Sequence, residues 1–121
     1  MMIWTRYCRY ARHMFNMDKF RIMKKTAVVI NIARGPVVKE DDLIRALQTG
    51  EIGGAALDAV EEEPLSSDSP LWDMDNVIIT PHCAADSKLY IDRAIAQFCE
   101  NLKLYEAGKP LLNEIDMKQR Y

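Results

Sequence analysis

The sequence has little of what marks several common classes of protein. No apolar run approaches the length of a membrane-spanning helix, so no membrane partner is expected. The formal net charge of −2 gives no reason to expect nucleic acid. The three cysteines, Cys8, Cys83 and Cys99, have no C-x-x-C spacing, which argues against a metal site or a disulfide framework and favours reduced thiols in the cytoplasm.

Glycine is also scarce, and its placement matters. None of the five glycines lies in a G-x-G-x-x-G pattern, the turn that holds the pyrophosphate of a dinucleotide at the start of a helix. The 121 residues, 49% of them hydrophobic, are nevertheless enough for one domain with a core. We therefore expect one globular domain that lacks a recognisable phosphate-binding turn.

Three short apolar stretches predict β-strands, and each is followed by a polar residue suited to chemistry. The last of them is rich in β-branched residues, which predicts a strand buried on both faces, and it stops at a proline that cannot continue a ladder. The stretches are residues 27–33, followed by Arg34; residues 54–58, which end in Asp58 and lead to Glu63; and residues 76–82, which end in Pro81 and His82.

Helical patterns separate and follow these strands. Residues 17–24 predict a short helix capped near Asp18, with Phe20 and Met23 facing inward. Residues 40–50 have acidic residues in the first turn and a glycine at the end, which favours a helix there. A long helix is expected from Asp86 or Ser87 to Ala107, with an apolar stripe that is core or interface. Its members are Ile91, Ile95, Phe98, Leu102 and Tyr105.

The two ends of the chain carry weaker signals. Arg6, Arg9 and Arg12 recur every three residues and suggest a short basic helix, but a frayed terminus is the preferred interpretation of residues 1–11. We leave that segment unassigned and treat residues 111–121 as a polar tail.

Strands that alternate with helices predict an α/β fold with a parallel sheet. If the strands are parallel, Arg34, Glu63 and His82 converge on the rim where ligands bind in open α/β sheets. Because no G-x-G-x-x-G turn is present, we expect half of a doubly wound sheet with flanking helices and a long C-terminal helix.

Several motifs in a fixed order resemble the D-isomer-specific 2-hydroxyacid dehydrogenase family. They run from Asn31-Ile32-Ala33-Arg34-Gly35 through Gly54-Ala55-Ala56-Leu57-Asp58 and Glu63-Pro64-Leu65 to Asn76-Val77-Ile78-Ile79-Thr80-Pro81-His82. The ending from Glu100 to Tyr121 is similar to the glyoxylate/hydroxypyruvate reductase-like branch. The resemblance begins near Arg12 and implies that residues 12–110 are the C-terminal half of a Rossmann-type NAD-binding domain. Lys39 departs from the family, because it stands where an acidic residue usually opens the helix.

The resemblance implies a role for each rim residue. Arg34 would hold the substrate carboxylate, His82 would be the acid/base and Glu63 would hold the other ring nitrogen of His82. The nicotinamide of NAD or NADP would be bounded by Ile32, Ala33, Arg34, Asp58 and His82, with Asp58 accepting a hydrogen bond from its carboxamide. No metal is implied.

The expected activity is hydride transfer between a nicotinamide and a small 2-oxo or 2-hydroxy acid, weak or absent in this chain alone. Three alternatives remain: one half of a split enzyme that needs a complementing half, a non-enzymatic module that self-associates as a homodimer, and a carboxylate-binding regulator that uses Arg34. Taken singly, each of these residues is more typical of an ordinary salt bridge, surface loop, helix entry or turn, and only their order at three strand ends favours the family roles.

Overall fold

The computed structural model describes residues 1–3 and 11–115, which fall into two compact units, Met1–Ala84 and Ala85–Tyr121. The basic helix suggested near the N-terminus falls largely on residues 4–10, and the end of the polar tail on residues 116–121. Both lie outside the described residues. In the part of the chain that is described, no helix combines the length and the apolar character that crossing a membrane requires.

A four-stranded parallel sheet forms the centre of the first unit. Its strands β1 (Met2–Ile3), β2 (Val28–Asn31), β3 (Gly54–Leu57) and β4 (Val77–Ile79) lie side by side in chain order. Every neighbouring pair is parallel. The predicted α/β class and parallel sheet are therefore confirmed.

Strand β1 corrects the expectation of a frayed N-terminus. Met2 pairs with Ile30 and Ile3 with Asn31, and the amide of Ile30 donates to the carbonyl of Met1 at 2.8 Å. Ile3 is 3% exposed, so its side chain contributes to the core. A two-residue strand is too short for sequence periodicity to reveal, because alternation needs several residues to be recognised.

One face of the sheet is covered by α1 (Met17–Arg21) and α2 (Glu40–Gln48). Phe20 of α1 and Leu43 of α2 are buried in a single core with Val29 and Leu57 of the sheet. Side chains alternate along β2, so Val29 and Asn31 point into this core while Val28 is 45% exposed. The core therefore lies between the two helices and one face of the sheet.

The opposite face of the sheet is open in the first unit. Register places Met2, Ile30, Ala56 and Ile78 in one row across the four strands. Met2 and Ile78 are 58% and 66% exposed. The expectation that the strand at residues 76–82 is buried on both faces is thus wrong, because β4 is an edge strand of this sheet and none of its three residues is buried.

Helix α1 begins at Met17 as the sequence suggests, but its cap lies two residues before Asp18 and it ends three residues earlier than expected. Asn16, not Asp18, is the N-cap, and its Oδ1 accepts a hydrogen bond from the amide of Lys19 at 3.4 Å. The helix ends at Arg21, and Phe20 is fully buried as expected.

We predict that Asn16→Ala lowers the free energy of unfolding by about 1 kcal/mol, because the Lys19 amide loses its side-chain acceptor and keeps only the carbonyl of residue 16. Asp18→Ala is the matched control and is expected to change stability by no more than about 0.5 kcal/mol. Urea denaturation measures both. Equal losses would show that Asn16 is not the effective cap.

Helix α2 ends as the sequence predicts, with Gly50 just past its end at φ +66°. At its start, Lys39 occupies the N-cap position but makes no capping hydrogen bond with its side chain. Instead, the amide of Glu40 donates to Oε2 of the distant Glu61 at 3.1 Å. A carboxylate supplied from elsewhere in the chain therefore satisfies this helix end.

The second unit is built on α3 (Tyr90–Glu106). The helix starts later than Asp86 or Ser87, because the Ser87 carbonyl accepts from the Tyr90 amide in a separate turn at 3.0 Å. It ends as predicted at Gly108, whose φ of +63° permits the C-cap. No residue of α3 is buried, so its apolar stripe is not core within this unit.

Candidate active site

The carboxyl ends of the parallel strands place the predicted polar residues on one rim of the sheet. β2 ends at Asn31 and leads to Arg34, β3 ends at Leu57 and leads to Asp58, and β4 ends at Ile79 and leads to His82. Since all neighbouring strands are parallel, these three ends lie at the same edge.

His82 and Glu63 meet directly at this rim. Nδ1 of His82 lies 3.0 Å from Oε1 and 2.9 Å from Oε2 of Glu63, and each side chain is 42% exposed. The amide of Val60 also donates to Oε1 of Glu63, at 3.3 Å. A carboxylate accepts only, so Nδ1 carries the proton and Nε2 is left for another group. The structure thus brings Glu63 into contact with one ring nitrogen of His82, as predicted, while the chemical role of the pair stays a prediction.

The backbone of His82 has an uncommon conformation. Its φ is +53°, in the left-handed region that non-glycine residues rarely adopt. Such conformations persist where the surroundings impose them, and they concentrate at functional sites.

The carboxylate of Asp58 imposes the conformation of this turn. Oδ1 accepts from the Thr80 hydroxyl at 2.5 Å and from the Cys83 amide at 2.9 Å, and Oδ2 accepts from the Ala84 amide at 2.9 Å. Burial alone would raise the pKa of Asp58, but these hydrogen bonds and the nearby charge of His82 hold that pKa below its ordinary value. Asp58 is 7% exposed, so its buried charge is compensated within the turn that presents His82.

This network makes a pH-dependent contribution to stability. The folded pKa of Asp58 lies below the ordinary value of 3.8, so the contribution is present above that pH and is lost as pH falls through the folded pKa. We predict that Asp58→Asn costs about 1.5–3 kcal/mol at pH 7 and makes the acid loss of stability shallower than in the wild type. Urea denaturation between pH 7 and pH 3 measures both effects. Asp73→Asn, at an exposed carboxylate, should leave the acid profile unchanged, and a wild-type profile in Asp58→Asn would contradict the assignment.

Arg34 is on the rim but is held differently from His82. Its side chain is exposed, and Nη1 donates to the carbonyl of Ala33 at 2.7 Å. No contact to His82 or Glu63 is found among the described residues. The structure therefore brings Glu63, His82 and Asp58 together around one cleft, whereas Arg34 follows β2 at the same edge of the sheet and does not line that cleft.

Asn31 is a site residue to which the sequence analysis assigned no role. It is 1% exposed, its Nδ2 donates to the carbonyls of Arg34 and Ala59 at 3.2 and 3.0 Å, and its Oδ1 accepts from the Ala33 amide at 3.2 Å. It therefore fixes the turn that carries Ile32, Ala33 and Arg34. The available signal was an amide in the middle of an apolar strand, because a buried polar side chain needs partners.

An open cleft of about 290 Å³ adjoins the His82–Glu63 pair. Most of its wall is apolar, and Trp72 is 53% exposed there with its Nε1 donating to the Ser66 carbonyl at 2.9 Å. The sequence analysis assigned these apolar residues no part in the site. The cleft is lined by Asp58, Val60, Glu63, Pro64, Leu65, Trp72, Ile79, Thr80, Pro81 and His82.

Comparison with known protein families gives a match that spans most of the first unit. Residues 3–84 match the family model described as D-isomer specific 2-hydroxyacid dehydrogenase, NAD binding domain. The chain belongs to the D-isomer specific 2-hydroxyacid dehydrogenase family. The match starts earlier than the sequence motifs indicated, and it includes Ile3 of β1.

Two relatives show what share of such a protein this chain covers. A glyoxylate/hydroxypyruvate reductase B from Cronobacter sakazakii is 45% identical over an alignment of 106 positions that covers 75% of this chain and 33% of that protein. One from Salmonella newport is 56% identical over 71 residues, 59% of this chain and 22% of that protein. The chain thus spans about a third or less of the length of these two relatives.

Solved structures of the family have the same fold. A D-isomer specific 2-hydroxyacid dehydrogenase from Xanthobacter autotrophicus Py2, in complex with NADPH and MES, has a TM-score of 0.88 and 41% identity over 99% of this chain and 49% of its own. An NADPH-dependent glyoxylate/hydroxypyruvate reductase from Sinorhizobium meliloti, in complex with NADP and sulfate, has a TM-score of 0.89 and 33% identity over 99% and 39%. The parallel sheet is therefore the Rossmann-like one of dehydrogenase cofactor domains.

Proposed function

We propose that this chain carries the acid–base part of a D-2-hydroxyacid dehydrogenase site, which interconverts a small 2-oxo acid and its 2-hydroxy acid. The observation that carries the proposal is the His82–Glu63 pair at the carboxyl rim of a parallel sheet. Residues 12–110 then form the C-terminal half of the cofactor domain and residues 111–121 its tail.

In this proposal the imidazole of His82 moves the proton. Glu63 holds the hydrogen on Nδ1, so the proton exchanged with the substrate oxygen is on Nε2. In reduction, Nε2 donates to the 2-keto oxygen, and in oxidation the neutral Nε2 accepts from the 2-hydroxyl group. The carboxylate of Glu63 stabilises the imidazolium form that the donor step requires.

Arg34 is proposed to bind the carboxylate of the substrate. Its planar guanidinium has five N–H donors, and within residues 1–3 and 11–115 the bond from Nη1 to the carbonyl of Ala33 is the one found. The exposed remainder is suited to paired hydrogen bonds with a carboxylate. Asn31, which fixes the Arg34 carbonyl, keeps this side chain at the rim.

The residues present fit the nicotinamide end of a dinucleotide. Ile32 is 38% exposed at the carboxyl end of β2 and offers apolar surface there, whereas Ala33 is 5% exposed and would contribute its backbone, which Asn31 fixes. By the resemblance, Arg34, Asp58 and His82 would bound the same ring. The nicotinamide supplies or accepts the hydride when bound. The pyrophosphate of the dinucleotide has no glycine-rich turn to bind it here, because the sequence contains no G-x-G-x-x-G pattern.

A complementation assay tests this function. The chain alone is expected to turn over glyoxylate or hydroxypyruvate with NADPH or NADH negligibly. Mixing it with the G-x-G-x-x-G half of a family member is expected to produce turnover that depends on His82. Ready turnover by the purified chain alone would contradict the need for a complementing half, and no rescue by any such half would contradict the enzymatic role.

A second candidate function, self-association as a homodimer, is favoured by the open sheet face. Its row of Met2, Ile30, Ala56 and Ile78 is apolar and partly exposed, a surface typical of interfaces. Light scattering should then give twice the mass of the monomer, and Ile78→Asp should reduce the measured mass to that of one monomer. Ile22→Asp, at a 79% exposed side chain away from the sheet, is the control. A wild-type monomer would exclude this candidate.

A further inference from the structure

We propose that Glu61 is a positioning residue that holds Glu63 against His82, through a cluster in which Glu61 binds His13 and Glu40. We call these three residues the Glu61 clasp. The importance of the clasp for proton transfer rests on the proposed function, whereas its effect on the His82–Glu63 geometry does not.

Glu61 and Glu40 bind each other's backbone reciprocally. The Glu40 amide donates to Oε2 of Glu61, and the Glu61 amide donates to Oε2 of Glu40, both at 3.1 Å. This is the pattern of a capping box, in which two residues satisfy each other's amides, but here they are 21 positions apart. The carboxylate of Glu61 also lies at the positive end of the α2 dipole, where a negative charge is favourable.

His13 holds the other oxygen of Glu61. Its Nε2 lies 2.5 Å from Oε1 of Glu61, and Nη2 of Arg12 lies 3.6 Å from the same oxygen. Burial would raise the pKa of Glu61, but the hydrogen bonds from His13 and Glu40 and the charges of His13 and Arg12 hold that pKa below its ordinary value. The carboxylate of Glu61 is therefore kept ionised by groups from two other segments of the chain.

The segment that carries His13 is itself fixed by the backbone. The His13 amide donates to the Pro36 carbonyl at 2.8 Å, and Phe15 pairs with Val38 in an isolated parallel bridge. His13 has a φ of +52°, the same left-handed conformation as His82. The clasp is therefore anchored to the loop before α2 and not to a mobile surface side chain.

The clasp restrains Glu63 because the two glutamates share one short turn. Glu61 lies two residues before Glu63, and the Val60 amide donates to Oε1 of Glu63 at 3.3 Å. Fixing Glu61 at both its amide and its carboxylate leaves the turn from Val60 to Glu63 little freedom. The carboxylate of Glu63 is thereby kept at 2.9 Å from Nδ1 of His82.

Imidazole NMR of the full chain tests the clasp without any assay of activity. The chain has two histidines, so two imidazoles are to be assigned and His13→Gln leaves His82 alone. The ¹⁵N shifts of a neutral imidazole report the ratio of its Nδ1–H and Nε2–H tautomers. Glu63 favours the Nδ1–H tautomer in His82, and Glu63→Gln shows the spectrum without that carboxylate.

We expect Glu61→Gln and His13→Gln each to lower the Nδ1–H to Nε2–H ratio of His82 by about tenfold. Each variant loses a charge-assisted hydrogen bond of the clasp, and this loss frees the turn that carries Glu63. Glu62→Gln, which removes the same charge from an exposed position in the same turn, should leave the ratio within about twofold. All spectra are recorded well below the melting temperature of each variant, so a loss of stability alone does not move the ratio.

Two outcomes would overturn the clasp. One is a folded Glu61→Gln variant with the wild-type ratio, and the other is an equal change in Glu62→Gln. If Glu61→Gln does not fold, His13→Gln decides by itself, because it leaves the Glu40–Glu61 hydrogen bonds in place. Failure of complementation together with a clear shift in the ratio would reject the proposed enzyme but keep the clasp.

Discussion

Replacing Gly35 with alanine is expected to destabilise the protein by at least about 3 kcal/mol, the upper part of the range for overpacked sites. A Cβ atom at position 35 would lie 1.6 Å from the carbonyl oxygen of Val60 and 2.7 Å from the amide nitrogen of Glu61. Both are backbone atoms, so no side-chain rotation relieves the clash. The turn from Val60 to Glu63 must move, or the Arg34–Gly35 segment must, and either displaces a residue of the site.

Gly50→Ala is the matched control for this prediction. Gly50 has a φ of +66°, and a Cβ there meets no atom within 4 Å. Replacing it with alanine should therefore cost only about 1–2 kcal/mol, the energy of holding a residue with a Cβ in a left-handed conformation. Urea denaturation compares the two variants. Equal costs would show that the contact between Gly35 and Val60 is not tight in solution.

Gly35 also shows why part of the site could be predicted from the sequence. It follows Arg34 in a family motif, and that motif together with three apolar strands correctly predicted a parallel sheet and the rim carrying Arg34 and His82. The sequence did not reveal that Gly35 is needed for close approach to Val60. That contact joins residues far apart in the chain, and no local pattern encodes it.

The Glu61 clasp was missed because its members are far apart in the chain. His13 and Glu61 are 48 positions apart, and an acidic run looks like an ordinary solvated loop until its partners are known. The absence of a side-chain cap at Lys39 was visible in the sequence, but the substitute from Glu61 was not. Local propensity determines where helices end, whereas the partner of a charged side chain depends on tertiary structure.

The exposure of the open sheet face was not predicted, for a different reason. Strand β4 has the apolar composition of a strand covered on both sides, yet Ile78 is 66% exposed. Composition records the environment for which a strand is suited, not the elements that surround it. The pattern at residues 76–82 therefore predicted the strand correctly, placed its end near Pro81 where the structure ends it at Ile79, and predicted its burial wrongly.

In the complemented enzyme, His82→Ala is expected to lower kcat/KM for glyoxylate or hydroxypyruvate reduction by about 10²- to 10⁴-fold, the contribution typical of general acid–base catalysis. In the proposed function the imidazole exchanges the proton, with Nδ1 held by Glu63 and Nε2 left for the substrate. Steady-state kinetics with each purified variant measure the change. Lys25→Ala, which removes an exposed ion pair to Glu51, is the control and should keep wild-type kinetics.

Glu63→Gln distinguishes a group that acts through His82 from one that acts on the substrate. Because Glu63 contacts the imidazole at Nδ1, its loss should lower kcat more than it raises KM. The double variant should then be no slower than His82→Ala alone, since residues that act as a unit are not additive. A double variant slower by the product of the two single effects would show that Glu63 has an independent role. Wild-type activity in His82→Ala would contradict the acid/base assignment, because the proton would then be exchanged without the imidazole that Glu63 and the turn held by Asp58 position.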